Sequence, residues 1–155
     1  MHESMVRDRF GMYLEAYLRG SGRHRQELTR QSALLSKLED AAVYIKSVED
    51  RTRPVLHAKL EDLDLERFEE PIPLIHNPGI LVTGLEIERC KFMDSKKVPL
   101  WLVFSNADPN GESVHVIFKH GDDLRQDMLT LQMIRIMDKL WQAEDMDLRL
   151  MVRPR

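Results

Sequence analysis

Lys119 and Asp127 are the two residues of this 155-residue chain whose types and spacing could do chemistry together. The run Val116-Ile117-Phe118-Lys119 closes an alternating strand pattern, Gly121 turns the chain, and Asp127 falls one turn into a following helix. A lysine on a strand facing an acid on the next helix is an arrangement that holds nucleotide phosphates. Taken alone, Lys119 reads more readily as a lysine on an exposed sheet edge, where such side chains mostly lie, and only its flanking motif reverses that preference.

The elements that must position this pair follow from periodicity. Val114, Val116 and Phe118 share one face of the strand, while His115, Ile117 and Lys119 share the other. The more apolar set faces the core, so Lys119 points across the sheet. Asp123 followed three residues later by Gln126 reads as a capping-box helix start, and Asp122 and Asp123 both read as carboxylates favoured at a helix N-terminus. The helix carries Leu124, Met128, Leu131, Ile134, Met137 and Trp141 at helical steps to about Gln142, and its methionine stripe reads as core.

Upstream, the run Leu100-Trp101-Leu102-Val103-Phe104 after Pro99 reads as a strand covered on both faces, joined to the next by the turn Asn106–Gly111. Leu85 to Phe92 reads as a strand with a bulge or bend near Glu88 to Arg89, because Cys90 and Phe92 change parity. Pro71, Pro73 and Pro78 mark irregular backbone and a boundary. Residues 5–46 read as two amphipathic helices broken at Gly20-Ser21-Gly22, an antiparallel αα-hairpin that needs a neighbour to bury its remaining apolar surface. Residues 47–70 read as a linker and a modest helix.

Composition bounds the rest. With 23 Lys and Arg against 26 Asp and Glu the net charge is -3, which gives no basic field for nucleic acid. One cysteine, Cys90, excludes an internal disulfide framework, and the six scattered histidines lack the spacing of a zinc site, so no metal is expected from them. No apolar run approaches a membrane span and no leader is evident, so the chain reads as soluble and cytoplasmic.

Three runs together resemble one family. Gly121 to Met137 (G-D-D-L-R-Q-D-M-L-T-L-Q-M-I-R-I-M), preceded by Phe118-Lys119 and followed by Asp147-Leu148-Arg149, resembles the kinase N-lobe of phosphatidylinositol 3-kinase catalytic subunits. Cys90 to Trp101 (C-K-F-M-D-S-K-K-V-P-L-W) is similar to that family's phosphate-binding loop, and Arg9 to Gly20 to the end of its helical domain. The resemblance implies an α+β architecture, an N-terminal α-helical segment followed by a kinase-like N-lobe with a small antiparallel sheet and a long helix. It divides the chain into the end of the helical domain (1–46), a linker and helix (47–70) and a partial N-lobe without its C-lobe (71–155).

The resemblance also implies roles. Lys119 contacts the nucleotide phosphates and Asp127 sits deep in the same pocket. Met93 and Trp101 cover the adenine side, Ile117 lines the interior, and Ser95 with Lys97 approaches the phosphates. ATP and Mg2+ are the implied cofactors of the full-length enzyme, although its catalytic loop and D-F-G segment do not occur in this chain, so no catalytic set is complete and the Mg2+ ligands are absent. The implied partners are a phosphoinositide lipid at the membrane surface, reached by peripheral recruitment, and a regulatory subunit or adaptor. Met93 to Trp101 looks like class I enzymes, whereas Leu14 to Gly20, Asn106 to Glu112 and Ile134 to Lys139 look closer to class II, and the balance falls slightly to class II. The expected function is thus that of a truncated lipid 3-kinase, inactive alone; the alternative is a non-catalytic module that docks on the intact kinase and competes with it.

Overall fold

The computed structural model describes residues 2–22 and 24–150, with side chains from residue 8 onward. The tail Met151-Val152-Arg153-Pro154-Arg155 and the side chain of His2 lie outside the described residues. In chain order the elements are α1 (His2–Gly20), α2 (His24–Ser47), α3 (Arg53–Asp62), β1 (Ile72–Leu74), β2 (Asn77–Leu85), a 3-10 turn (Ile87–Arg89), β3 (Lys91–Phe92), β4 (Leu100–Asn106), β5 (Val114–Phe118) and α4 (Arg125–Ala143). Among the described residues, four helices and one antiparallel sheet give the expected α+β class.

The core lies between the sheet and the second and third helices. Leu34, Leu38, Ala41, Ala42 and Ile45 recur at three- and four-residue steps on α2 and are buried against Leu56 and Leu60 of α3 and the inner face of the sheet. Pro54 opens α3, where its missing N–H costs nothing and its fixed φ suits the first turn. Strand β4 is central: it pairs with β2, β3 and β5, and Leu100, Leu102, Val103 and Phe104 are all essentially inaccessible to solvent.

Glycine at position 84 has a specific reason. A Cβ there would lie 1.9 Å from the carbonyl oxygen of Glu66, so only glycine lets the 65–68 segment run against β2. That segment is tied by Leu85 N to Leu65 O at 2.8 Å and Phe68 N to Thr83 O at 2.7 Å.

Several expectations are corrected. The prolines at 73 and 78 lie inside strands rather than in irregular backbone; β1 is the sheet's edge, the position at which a residue without an N–H is tolerated. The bend expected near Glu88 and Arg89 is present as a 3-10 turn, which separates two strands rather than bulging one. Helix α4 begins at Arg125 with Leu124, not Asp123, at its N-cap, so the capping box with Gln126 does not form and Asp123 stands one residue ahead of the cap. From there its carboxylate accepts from the backbone N and the guanidinium of Arg125, the first residue of the helix.

The largest corrections concern the two outer helices. The methionine stripe of α4 is not core: Met128 is 65% exposed, and no residue of the helix is buried. Nor does α4 cover the sheet, whose outer-face Ile117 stays open to solvent. The first two helices do not pack as an αα-hairpin either, since Phe10, Tyr13, Leu14 and Tyr17 all lie in solvent. Amphipathic spacing records that a helix has an apolar side; it does not record which neighbour meets it.

Candidate functional site

The outer face of the sheet collects the residues singled out for chemistry. Cross-strand partners share a face, so the pairs Lys91↔Trp101 and Trp101↔Ile117 set three side chains in a row. Lys91 Nζ lies 5.5 Å from the Trp101 ring centre, and the His115 ring lies 5.5 Å from it at a tilt of 49°. Met93 N donates to Pro99 O at 2.8 Å, which continues the β3–β4 ladder by one step and puts Met93 at a register position on this same face.

Between Met93 and Pro99 the chain turns. Val98 N donates to Ser95 O at 3.0 Å, closing a turn whose tip, Asp94 to Lys96, is exposed. Val98 adopts a φ of +47°, a costly conformation for a β-branched residue, and its side chain is only 3% exposed. Burial of that side chain against the core holds the turn in place.

The other half of the site is the junction between β5 and α4. Gly121, at φ +68°, reverses the chain where a left-handed residue is needed. Lys119 Nζ then reaches Asp127 Oδ1 at 3.1 Å and lies 3.8 Å from Asp122 Oδ2. Both members of the Lys119–Asp127 pair are partly shielded, at 22% and 28% side-chain exposure, so this pair is screened less than an ordinary surface pair. Lys97 extends from the turn to the junction, with Nζ 3.2 Å from Gly121 O and 3.5 Å from Asp122 Oδ1.

Of the predicted residues, the structure brings Lys97, Lys119 and Asp127 into one charged cluster and sets Trp101 and Ile117 beside it on the outer sheet face. Met93 is adjacent by register, and Ser95 stands at the exposed turn, contributing its carbonyl to the turn's closure. In sequence Asp122 reads as a helix-start carboxylate; its bridging position depends on the left-handed Gly121, and adjacent Asp122 and Asp123 are indistinguishable as a sequence pair. Two cations and two carboxylates balance one another here. The cluster can therefore accept an anion such as a phosphate chain by exchanging one carboxylate partner for it.

A second polar group lies at the start of β5. Glu86 accepts from the Ser113 hydroxyl at 2.5 Å and from Arg89 Nη1 at 2.5 Å. The Ser113 hydrogen bond, helped by Arg89, holds the Glu86 carboxyl below the usual range. Burial pushes the Cys90 thiol up, consistent with an inert core sulfur. Among the described residues no group of three or more His, Cys, Asp or Glu side chains is placed to hold a metal ion, and no helix is long and apolar enough to cross a membrane.

Residues 113–155 match the family described as Phosphatidylinositol 3- and 4-kinase. Over 152 residues, 97% of its length, the chain is 45% identical to Phosphatidylinositol 3-kinase 2 and 48% identical to Phosphatidylinositol 3-kinase 1, both of Dictyostelium discoideum. It spans only 8% and 9% of the length of those two relatives.

Proposed function

We propose that this chain is a segment of a phosphatidylinositol 3-kinase, joining the end of the helical domain to the N-lobe of the catalytic domain, and that its Lys97–Lys119–Asp127 cluster receives the phosphates of ATP. The observation that carries the reading is the 3.1 Å approach of Lys119 to Asp127 beside the Trp101 and Ile117 face, within a chain similar to such kinases over 97% of its length. The donor set fits a triphosphate: Lys119 and Lys97 are compact cations on two different chain segments, and Trp101 with Ile117 offers an apolar surface beside them for a base.

When bound, ATP supplies the phosphoryl group and Mg2+ neutralises charge that develops on it. In this reading, Lys119 orients the phosphate chain, Asp127 holds the lysine in place from the helix side, and Met93 and Trp101 shield the base. The acceptor is the 3-hydroxyl of a phosphoinositide at a membrane surface, and the groups that hold metal and orient that hydroxyl come from chain beyond this segment. The 155-residue chain transfers no phosphate by itself.

Transplanting this segment in place of its counterpart in Phosphatidylinositol 3-kinase 2 tests the proposal. The expected result is a chimaera that still phosphorylates phosphoinositides at the 3-position and loses this on Lys119→Met. A folded chimaera without lipid phosphorylation overturns the reading.

The exposed apolar faces of α1 and α4 favour a second reading, in which the chain docks on an intact kinase and competes with its own counterpart. Saturable inhibition of the intact enzyme by the purified chain is expected; unchanged activity at large excess rules it out.

A further inference from the structure

Asp122 and Asp123 are neighbours in sequence and opposites in structure. Asp123 turns outward to the exposed guanidinium of Arg125. Asp122 turns inward, with 26% side-chain exposure, and divides its two oxygens between two lysines from different parts of the chain: Oδ1 at 3.5 Å from Lys97 and Oδ2 at 3.8 Å from Lys119. Lys97 is held a second time by the Gly121 carbonyl at 3.2 Å.

Two ammonium groups drawn to one place repel each other unless a carboxylate lies between them. From this geometry we propose that Asp122 is a positioning residue: it clasps the Asp94–Lys97 turn to the β5–α4 junction and holds Lys97 and Lys119 side by side for a single phosphate chain. The proposal rests on the nucleotide reading above for its ligand, while the clasp itself stands on the ion-pair geometry. Without Asp122 the turn keeps its buried root at Val98, but its tip loses the tie that sets the spacing of the two cations.

Amide hydrogen exchange at Val98, whose N–H closes the turn, reads the clasp in this chain directly. Asp122→Asn and Lys97→Met are each expected to speed that exchange by about two- to fivefold, the size of one exposed ion pair. The double variant is expected to be no faster than Lys97→Met alone, because that substitution already removes the ion pair to Asp122 together with the bond to the Gly121 carbonyl. Asp123→Asn is expected to leave it unchanged. Additive effects, or no effect, overturn the clasp; if Asp122→Asn fails to fold, unchanged exchange in Lys97→Met does so alone. In the segment-transplanted kinase, Asp122→Asn is expected to raise KM for ATP on the order of tenfold, one contact to a charged group, with kcat nearly unchanged. A fall in kcat at constant KM overturns the positioning role. An inactive transplant with the unaltered segment defeats the nucleotide reading while the exchange experiment still decides the clasp.

Discussion

Lys119 and Asp127 meet at 3.1 Å across the gap between the end of β5 and the first turn of α4, and this pair joins the helix N-terminus to the sheet. Since no residue of α4 is buried, the pair carries weight in placing the helix as well as in preparing a cation for phosphate. Lys119→Met in the transplanted kinase is expected to lower lipid 3-phosphorylation by about a hundredfold or more, the effect of losing one preorganised charge-stabilising group. Asp127→Asn is expected to lower it less, with the loss in both cases measured by phosphoinositide product formation.

Gly84→Ala sets a Cβ against the Glu66 carbonyl, where neither partner can move without breaking the β2 contacts at Leu65 and Phe68. A loss of about 2–3 kcal/mol is expected, at the upper end for an overpacked site. Thermal melting checks it, and a melting point within a degree of the parent contradicts the close approach.

Ser113→Ala tests the Glu86 group through pH. The hydroxyl holds the Glu86 carboxyl below its unfolded value, so its stabilisation is present above the ordinary glutamate range and is lost as pH falls through the folded pKa. The variant is expected to cost about 1 kcal/mol near pH 7, one hydrogen bond to a charged group in a partly exposed setting. The difference from the parent shrinks towards zero below the folded pKa. Denaturant titrations at neutral and acid pH give the comparison, and a deficit that grows on acidification contradicts the assignment.

Helical position alone does not predict cost here. Met128→Gln and Leu140→Gln, on the exposed face of α4, are expected to stay within about 0.5 kcal/mol of the parent. Leu56→Ala and Ile45→Ala, both fully buried, are each expected to cost about 2–5 kcal/mol. Equal losses in the two sets would place α4 in the core after all.

The legible part of the fold is the part set by local alternation. The parity of β5 puts Ile117 on the outer face, and the structure keeps it there with Trp101 opposite it across the ladder, while Lys119 lies one residue past the end of the strand. The turn chemistry of Asn106 to Gly111 likewise appears as drawn, with Asn106 Oδ1 accepting from Asp108 N and Asp108 Oδ1 from Asn110 N. The stretches that misled depend on partners distant in sequence or absent from the fold. Nothing in the spacing of Tyr13 and Tyr17 says that the second helix turns away from them. Pro73 resembles a boundary in sequence, yet the edge strand β1 tolerates it; Pro78 lies in β2 one residue past Asn77, at the hairpin end of the β1–β2 pair. The bridging of Asp122 was hidden for another reason: it depends on the direction of one carboxylate after a left-handed glycine.

The positive φ at Val98 gives the phosphate-side turn an unusual division of labour. Its base is pinned in oil and its tip is moored by charge, and the two attachments answer to different stimuli. Salt or an incoming polyanion can release the ionic mooring at Lys97 without loosening the apolar anchor at Val98. Adjustment to a ligand is thereby confined to the few residues from Asp94 to Lys97, and the sheet behind them stays still while the grip changes hands.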